Sequence, residues 1–80
     1  TYGLTRQSEV YAENLEFQKG RSRFDTYRSG ELLGRVKLTQ PGLHNVYNSL
    51  AAICVGLELE IDFSVIARAL SSFGGVQRRL

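Results

Sequence analysis

The feature that most constrains this chain is a change of hydrophobic period at Pro41-Gly42. Before that point apolar residues recur at every second position. After it they recur at every third and fourth. The first period belongs to half-buried strands, and the second to an amphipathic helix. A chain divided in this way reads as α+β, with antiparallel strands over residues 1–40 followed by two packed helices.

The strand half falls into three runs. Tyr11, Leu15 and Phe17 share one parity, with Glu13 among them, while Ala12, Asn14 and Glu16 take the other. Lys19-Gly20 marks a turn. Residues 22–28 make a second short strand, and Ser29-Gly30 the next turn. Leu32, Gly34, Val36 and Leu38 then alternate with Leu33, Arg35 and Lys37, which predicts a third strand with its apolar side at the even positions. Runs this close pair as a meander. Thr1-Tyr2-Gly3-Leu4 reads as the end of a further strand.

In the second half, Leu43, Val46, Tyr47, Leu50, Ile53, Cys54 and Leu57 predict a helix over 42–58. Phe63, Ile66, Ala67, Leu70 and Phe73 predict another over 63–74, with the Asp62 carboxylate as its cap and Gly74-Gly75 as its stop. The link from Glu58 to Ile61 is short, so the two helices are expected to pack antiparallel.

Composition sets the outer limits. Eighty residues support one modest core, and 42% apolar with 22% charged residues is ordinary for a soluble globular domain. A net charge of +2 without any block of like charges gives no argument for nucleic acid or a membrane surface as a partner. No apolar run reaches the length of a membrane span. The lone Cys54 forms no internal disulfide, which is compatible with a cytoplasmic setting. The chain starts at Thr1, contains no Met and stops at Gln77-Arg78-Arg79-Leu80, so both ends read as cuts inside a longer protein. Such a cut is expected to leave an apolar sheet face exposed and to favour self-association.

The chemistry-bearing residues are few. His44 and Asn48 are four apart and share a helix face, with Asn45 flanking the same surface. They fall in the first turns of the first predicted helix, where free N–H groups and the dipole favour an anion. Asn carries donor and acceptor together and suits a purine edge. The same residues are also common caps, and spacing alone leaves both readings open. Arg78 and Arg79 offer guanidinium groups for phosphate, or a solvated basic end. Lys19, Arg21 and Arg23 form a basic hairpin or a solvated turn. Glu58, Glu60 and Asp62 sit at the helix junction, where capping and solubility account for them. The sequence has no P-loop, no metal-ligand cluster and no Cys–His nucleophile arrangement, so no catalytic residue is assigned.

Gly42-Leu43-His44-Asn45-Val46-Tyr47-Asn48-Ser49-Leu50-Ala51-Ala52 resembles the Gly-x-His-Asn-x-x-Asn-x-x-Ala-Ala signature of the Mur ligases. Ile61-Asp62, Ala69-Leu70 with Phe73, and Gly75-Val76-Gln77-Arg78-Arg79 follow in the family's order. Thr1-Tyr2-Gly3-Leu4, Ala12-Glu13-Asn14-Leu15 and Ser22-Arg23-Phe24 look most like the alanine-adding branch. The resemblance implies that residues 1–80 are the C-terminal half of the central ATP-binding domain, part of a larger α/β unit. It also implies an ATP-dependent amide-bond ligase of cell-wall precursor synthesis, acting on UDP-N-acetylmuramate and L-alanine through an acyl phosphate. A related tripeptide-recycling ligase and a non-catalytic α+β binding module are the alternatives. By position in the family's motifs, Asn48 would contact the adenine end of ATP, with His44 and Asn45 beside it. Arg79 would lie near the nucleotide, and it is chosen over Arg78 because it precedes the family's usual Phe, here Leu80. The Mg²⁺ ligands and phosphate loop of the family fall outside this chain, so the segment alone is expected to be inactive.

Overall fold

The computed structural model describes residues 2–4 and 7–77. The strands are β1 (Tyr2–Gly3), β2 (Val10–Gln18), β3 (Arg21–Arg28) and β4 (Glu31–Leu38), followed by α1 (Leu43–Glu58) and α2 (Phe63–Gln77). They form one sheet in the order β1-β2-β3-β4. The three long strands make the expected antiparallel meander, and the short β1 joins β2 in parallel, which makes the sheet mixed. α1 lies against β1 and β2, and α2 lies against β4 and α1.

Two β-bulges reset the alternation that the sequence displays. The β2–β3 register shifts between Glu13 and Glu16, where Asn14 takes φ 56°. Asn tolerates this left-handed conformation better than most residues. An extra residue switches the inward parity along the strand. Val10 and Ala12 therefore enter the core on one side of the bulge, and Leu15 packs against it on the other. Tyr11, expected to share a face with Leu15, instead stacks on Tyr27 across the sheet, with ring centroids 5.3 Å apart. Phe17 is 48% exposed. The second shift lies between Thr26 and Tyr27, with Thr26 opposite Gly34 and Tyr27 opposite Leu32. Val36 and Leu38 point inward as expected, whereas Leu32, beyond the bulge, is exposed.

Phe24, Val36, Val46, Leu50 and Ile53 are fully buried, and Val10, Ala12, Leu38 and Ile66 complete the core. The helices meet at Gly56. A Cβ there would sit 2.6 Å from Ile66 Cδ1, so a side chain at this position would displace the end of Ile66. α1 ends in a left-handed turn at Glu60 (φ 63°), with Ile61 N–H donating to Gly56 C=O at 3.0 Å and Glu60 N–H to Leu57 C=O at 3.0 Å. This pair of bonds is the Schellman arrangement, at a position usually held by Gly.

One expectation is corrected. α2 continues to Gln77, past Gly74-Gly75, because glycine weakens a helix by about 1 kcal/mol without forcing it to stop. At the start of α2 the Asp62 backbone carbonyl accepts the N–H groups of Val65 and Ile66. The sheet face turned away from the helices carries charge beside Tyr11, Tyr27 and the exposed Leu32. It carries Arg35, whose guanidinium donates to Asp25 at 2.8 Å and pairs with Glu16 at 3.2 Å, while Arg23 pairs with Glu16 at 3.0 Å. Asn14 Nδ2 donates to the other Asp25 oxygen at 2.8 Å. The larger exposed apolar side chains of the helical layer include Val55, Leu59 and Val65.

The hydrogen bonds from Asn14 and Arg35 hold the Asp25 carboxyl below the usual carboxylate range. A depressed folded-state pKa stabilises the fold above the unfolded value and loses that effect as pH falls through the folded one. Asp25→Asn should therefore remove about 1 kcal/mol of the stability lost between neutral pH and pH ~3, read as the difference between two urea-melt series. Glu60→Gly should raise stability by roughly 0.5–1 kcal/mol, because it relieves a positive φ at an exposed position; an unchanged urea midpoint would count against the strain.

Candidate functional site

The sequence-predicted polar group sits where β4 hands over to α1. Leu38 ends the strand inside the core, and Val46, Leu50 and Ile53 anchor one face of α1. The first turns of α1 are held by that anchoring and not by a side-chain cap. The N-cap is Gly42, at φ 101° and ψ 145° with no side-chain cap hydrogen bond, and no acidic residue lies in the first turn. This backbone conformation is nearly confined to glycine, which gives the Pro41-Gly42 punctuation its physical reason.

His44, Asn45 and Asn48 are brought together, but none caps the helix. Asn45 Nδ2 donates to the Pro41 carbonyl at 2.7 Å. Asn48 Nδ2 lies 3.1 Å from His44 Nε2, and it donates when the imidazole carries its proton on Nδ1. Each amide keeps its Oδ1 and one N–H for another partner. His44 and Asn48 are exposed and Asn45 is half-buried. The capping reading, open at the level of sequence, is therefore not the arrangement found.

Asn45 and Asn48 face an open groove of about 350 Å³. Ser49 and Ala52 continue its α1 wall, Leu70 and Phe73 line it from α2, and Gln40 lines it as well. Ser49 was not singled out from sequence. Its signal was present, since Asn45, Asn48, Ser49 and Ala52 follow the helical spacing of three and four. Phe73, read as part of the apolar stripe of α2, is 56% exposed and forms groove surface instead. Arg78 and Arg79 lie outside the described residues.

The groove is thus polar along α1, apolar along α2, and placed at an uncapped helix N-terminus. Among known proteins the same segment recurs. Residues 1–56 match the Mur ligase middle domain, and the chain belongs to the Mur ligase family. It is 59% identical over 80 residues to the UDP-N-acetylmuramate–L-alanine ligase of Desulfotalea psychrophila, a match covering 100% of this chain and 17% of that protein. It is 51% identical over 79 residues to the ligase of the same name from Salinibacter ruber, covering 99% of this chain and 17% of that protein. The crystal structure of UDP-N-acetylmuramate–alanine ligase from Thermotoga maritima superposes with a TM-score of 0.82 at 26% identity, covering 90% of this chain and 16% of that one. The chain therefore spans about a sixth of the length of the relatives it matches. Among the described residues, no helix is long and apolar enough to cross a membrane.

A Cβ at Gly42 would meet nothing within 4 Å, so any cost of adding one comes from the backbone alone. Gly42→Ala should lower stability by roughly 1–3 kcal/mol. Amide exchange should report the loss as earlier opening at the start of α1; unchanged protection there would refute this account of the cap.

Proposed function

We propose that this chain is the C-terminal half of the central ATP-binding domain of an ATP-dependent amide-bond ligase that joins L-alanine to UDP-N-acetylmuramate. The observation that carries the reading is the pair of Asn amides, Asn45 and Asn48, held along one wall of an open groove that Leu70 and Phe73 line from α2. The 59% identity to an alanine-adding relative over the whole chain supports the choice of substrate.

The residues present fit a purine. A flat base needs apolar surface for its faces and paired donors and acceptors for its edge. Phe73 and Leu70 offer the first, and the free Oδ1 and N–H of each Asn offer the second. In this reading Asn48 contacts the adenine end of ATP, and Asn45 holds the same edge. His44 is a positioning residue, because its Nε2 fixes which way the Asn48 amide points. ATP, when bound, supplies the phosphoryl group that activates the muramate carboxylate. Arg79 is assigned to the nucleotide by its place in the family's motif. Among the described residues no group of three or more His, Cys, Asp or Glu is placed to hold a metal, and we assign the Mg²⁺ ligands and the phosphate loop to the rest of the ligase. In this reading the whole enzyme works in the cytoplasm, where ATP and UDP-sugars are held.

The test uses the full-length parent protein and follows phosphate release with UDP-N-acetylmuramate, ATP, Mg²⁺ and L-alanine. Release should require L-alanine, and Asn48→Ala should raise the KM for ATP about three- to tenfold, the loss of one hydrogen bond to the base. Release that occurs only with a preformed tripeptide would move the assignment to the recycling ligase. No release with either would remove the enzymatic reading.

A further inference from the structure

Among the described residues, the buried polar side chains are those of Ser22, Thr26 and Ser49. Ser22 Oγ donates to the Gln40 carbonyl at 2.6 Å. Thr26 Oγ1 has no partner and is fully enclosed by protein. Ser49 is different from both. It is 8% exposed and lines the groove, whose other α1 amides are shallower, Asn45 half-buried and Asn48 exposed. Ser49 therefore lies at the groove floor, next in sequence to the fully buried Leu50. A serine inside a helix ordinarily faces water or turns its hydroxyl back to a carbonyl one turn earlier. Ser71 and Ser72 turn back, onto Arg68 and Ala69 at 2.9 and 3.1 Å. Ser49 does neither. Among the described residues its Oγ has no hydrogen-bond partner, and it is not one of the enclosed unpaired atoms. A small open surface is thus left to it, and the groove is the cavity that Ser49 lines. Burial takes water from a hydroxyl and gives nothing back unless a partner arrives. Alanine at this place would suit the helix better.

We infer that Ser49 is a specificity-determining residue of this groove, whose hydroxyl bonds a polar atom on the leading edge of the bound base. The inference rests on the nucleotide reading of the groove. A base that rests a face on Leu70 and Phe73 turns an edge toward the floor. There the hydroxyl can both donate and accept, so an edge carrying an amino group or a ring nitrogen is favoured over one carrying only C–H groups. A site built to hydrogen-bond a ligand rejects the analogue that lacks the group, because its own buried polar atom is then left unpaired. Asn45 and Asn48 hold the base higher on the wall, and Ser49 reads what reaches the bottom.

Calorimetric titration of ATP into the full-length protein tests this role. Ser49→Ala should weaken ATP about three- to tenfold, the loss of one hydrogen bond. Its urea midpoint without nucleotide should be the same or higher, since no bond within the fold is removed. The titration is repeated with ATP analogues that lack the 6-amino group, N1 or N7 of the base. One of them should bind wild type more weakly than ATP does, yet bind wild type and Ser49→Ala equally, because a shared bond cannot be lost twice. Losses that add in full for every analogue would overturn the inference. So would a lowered urea midpoint, which would mean that the hydroxyl is bonded within the fold. Asn48→Ala separates this inference from the reading beneath it. If Asn48→Ala weakens ATP and Ser49→Ala does not, Ser49 alone is misassigned. If neither does, or if wild type binds no ATP, the nucleotide reading falls and Ser49 with it.

Discussion

The packing of α2 on β4 and, at Gly56 and Ile66, on α1 is what the groove depends on. The inner face of the sheet is covered by only two helices, and their separation decides how much of it stays dry. With no side chain at Gly56, Ile66 joins Leu50 and Ile53 in the core. The same packing brings Leu70 and Phe73 to the groove that Asn45 and Asn48 line. The groove is a consequence of where α2 lies. A larger side chain at position 56 would act on it from a distance, through Ile66, without touching a groove residue.

Much of the fold was legible because two periods of hydrophobicity are hard to confuse over runs this long. Residues 43–58 and the strand β3 appear almost where the pattern put them. The failures are equally physical. A bulge leaves no mark on composition, so the inward set of β2 was assigned to one parity when it changes parity at Asn14. Gly74-Gly75 was read as a stop although glycine only permits one. The open sheet face was expected to be apolar because a missing neighbour was assumed to cover it. Asn14, Glu16, Arg23, Asp25 and Arg35 pair by charge across part of it, beside Tyr11, Tyr27 and Leu32.

The candidate site was half legible as an arrangement of side chains. Helical spacing put His44, Asn45 and Asn48 on one surface, and the structure joins His44 to Asn48 and Asn45 to Pro41. The α2 side was out of reach of such reasoning, because Leu70 and Phe73 come from another helix. Periodicity assigned them to a core stripe, and Phe73 only reveals a surface role once the helices are docked.

The way α1 begins is the feature of the structure that best fits the proposed nucleotide reading. A helix start selected for stability would carry Ser, Thr, Asp or Asn at the N-cap and an acid in the first turn. Here Asn is available twice within six residues of Gly42, yet neither copy caps, and the cap itself is a glycine in a conformation other residues resist. The positive end of the helix is left without a local counter-charge, beside amides that keep free hydrogen-bonding groups. Local rules of stability are broken together at one place while the core beneath it obeys them. That combination is what the proposed nucleotide site would require.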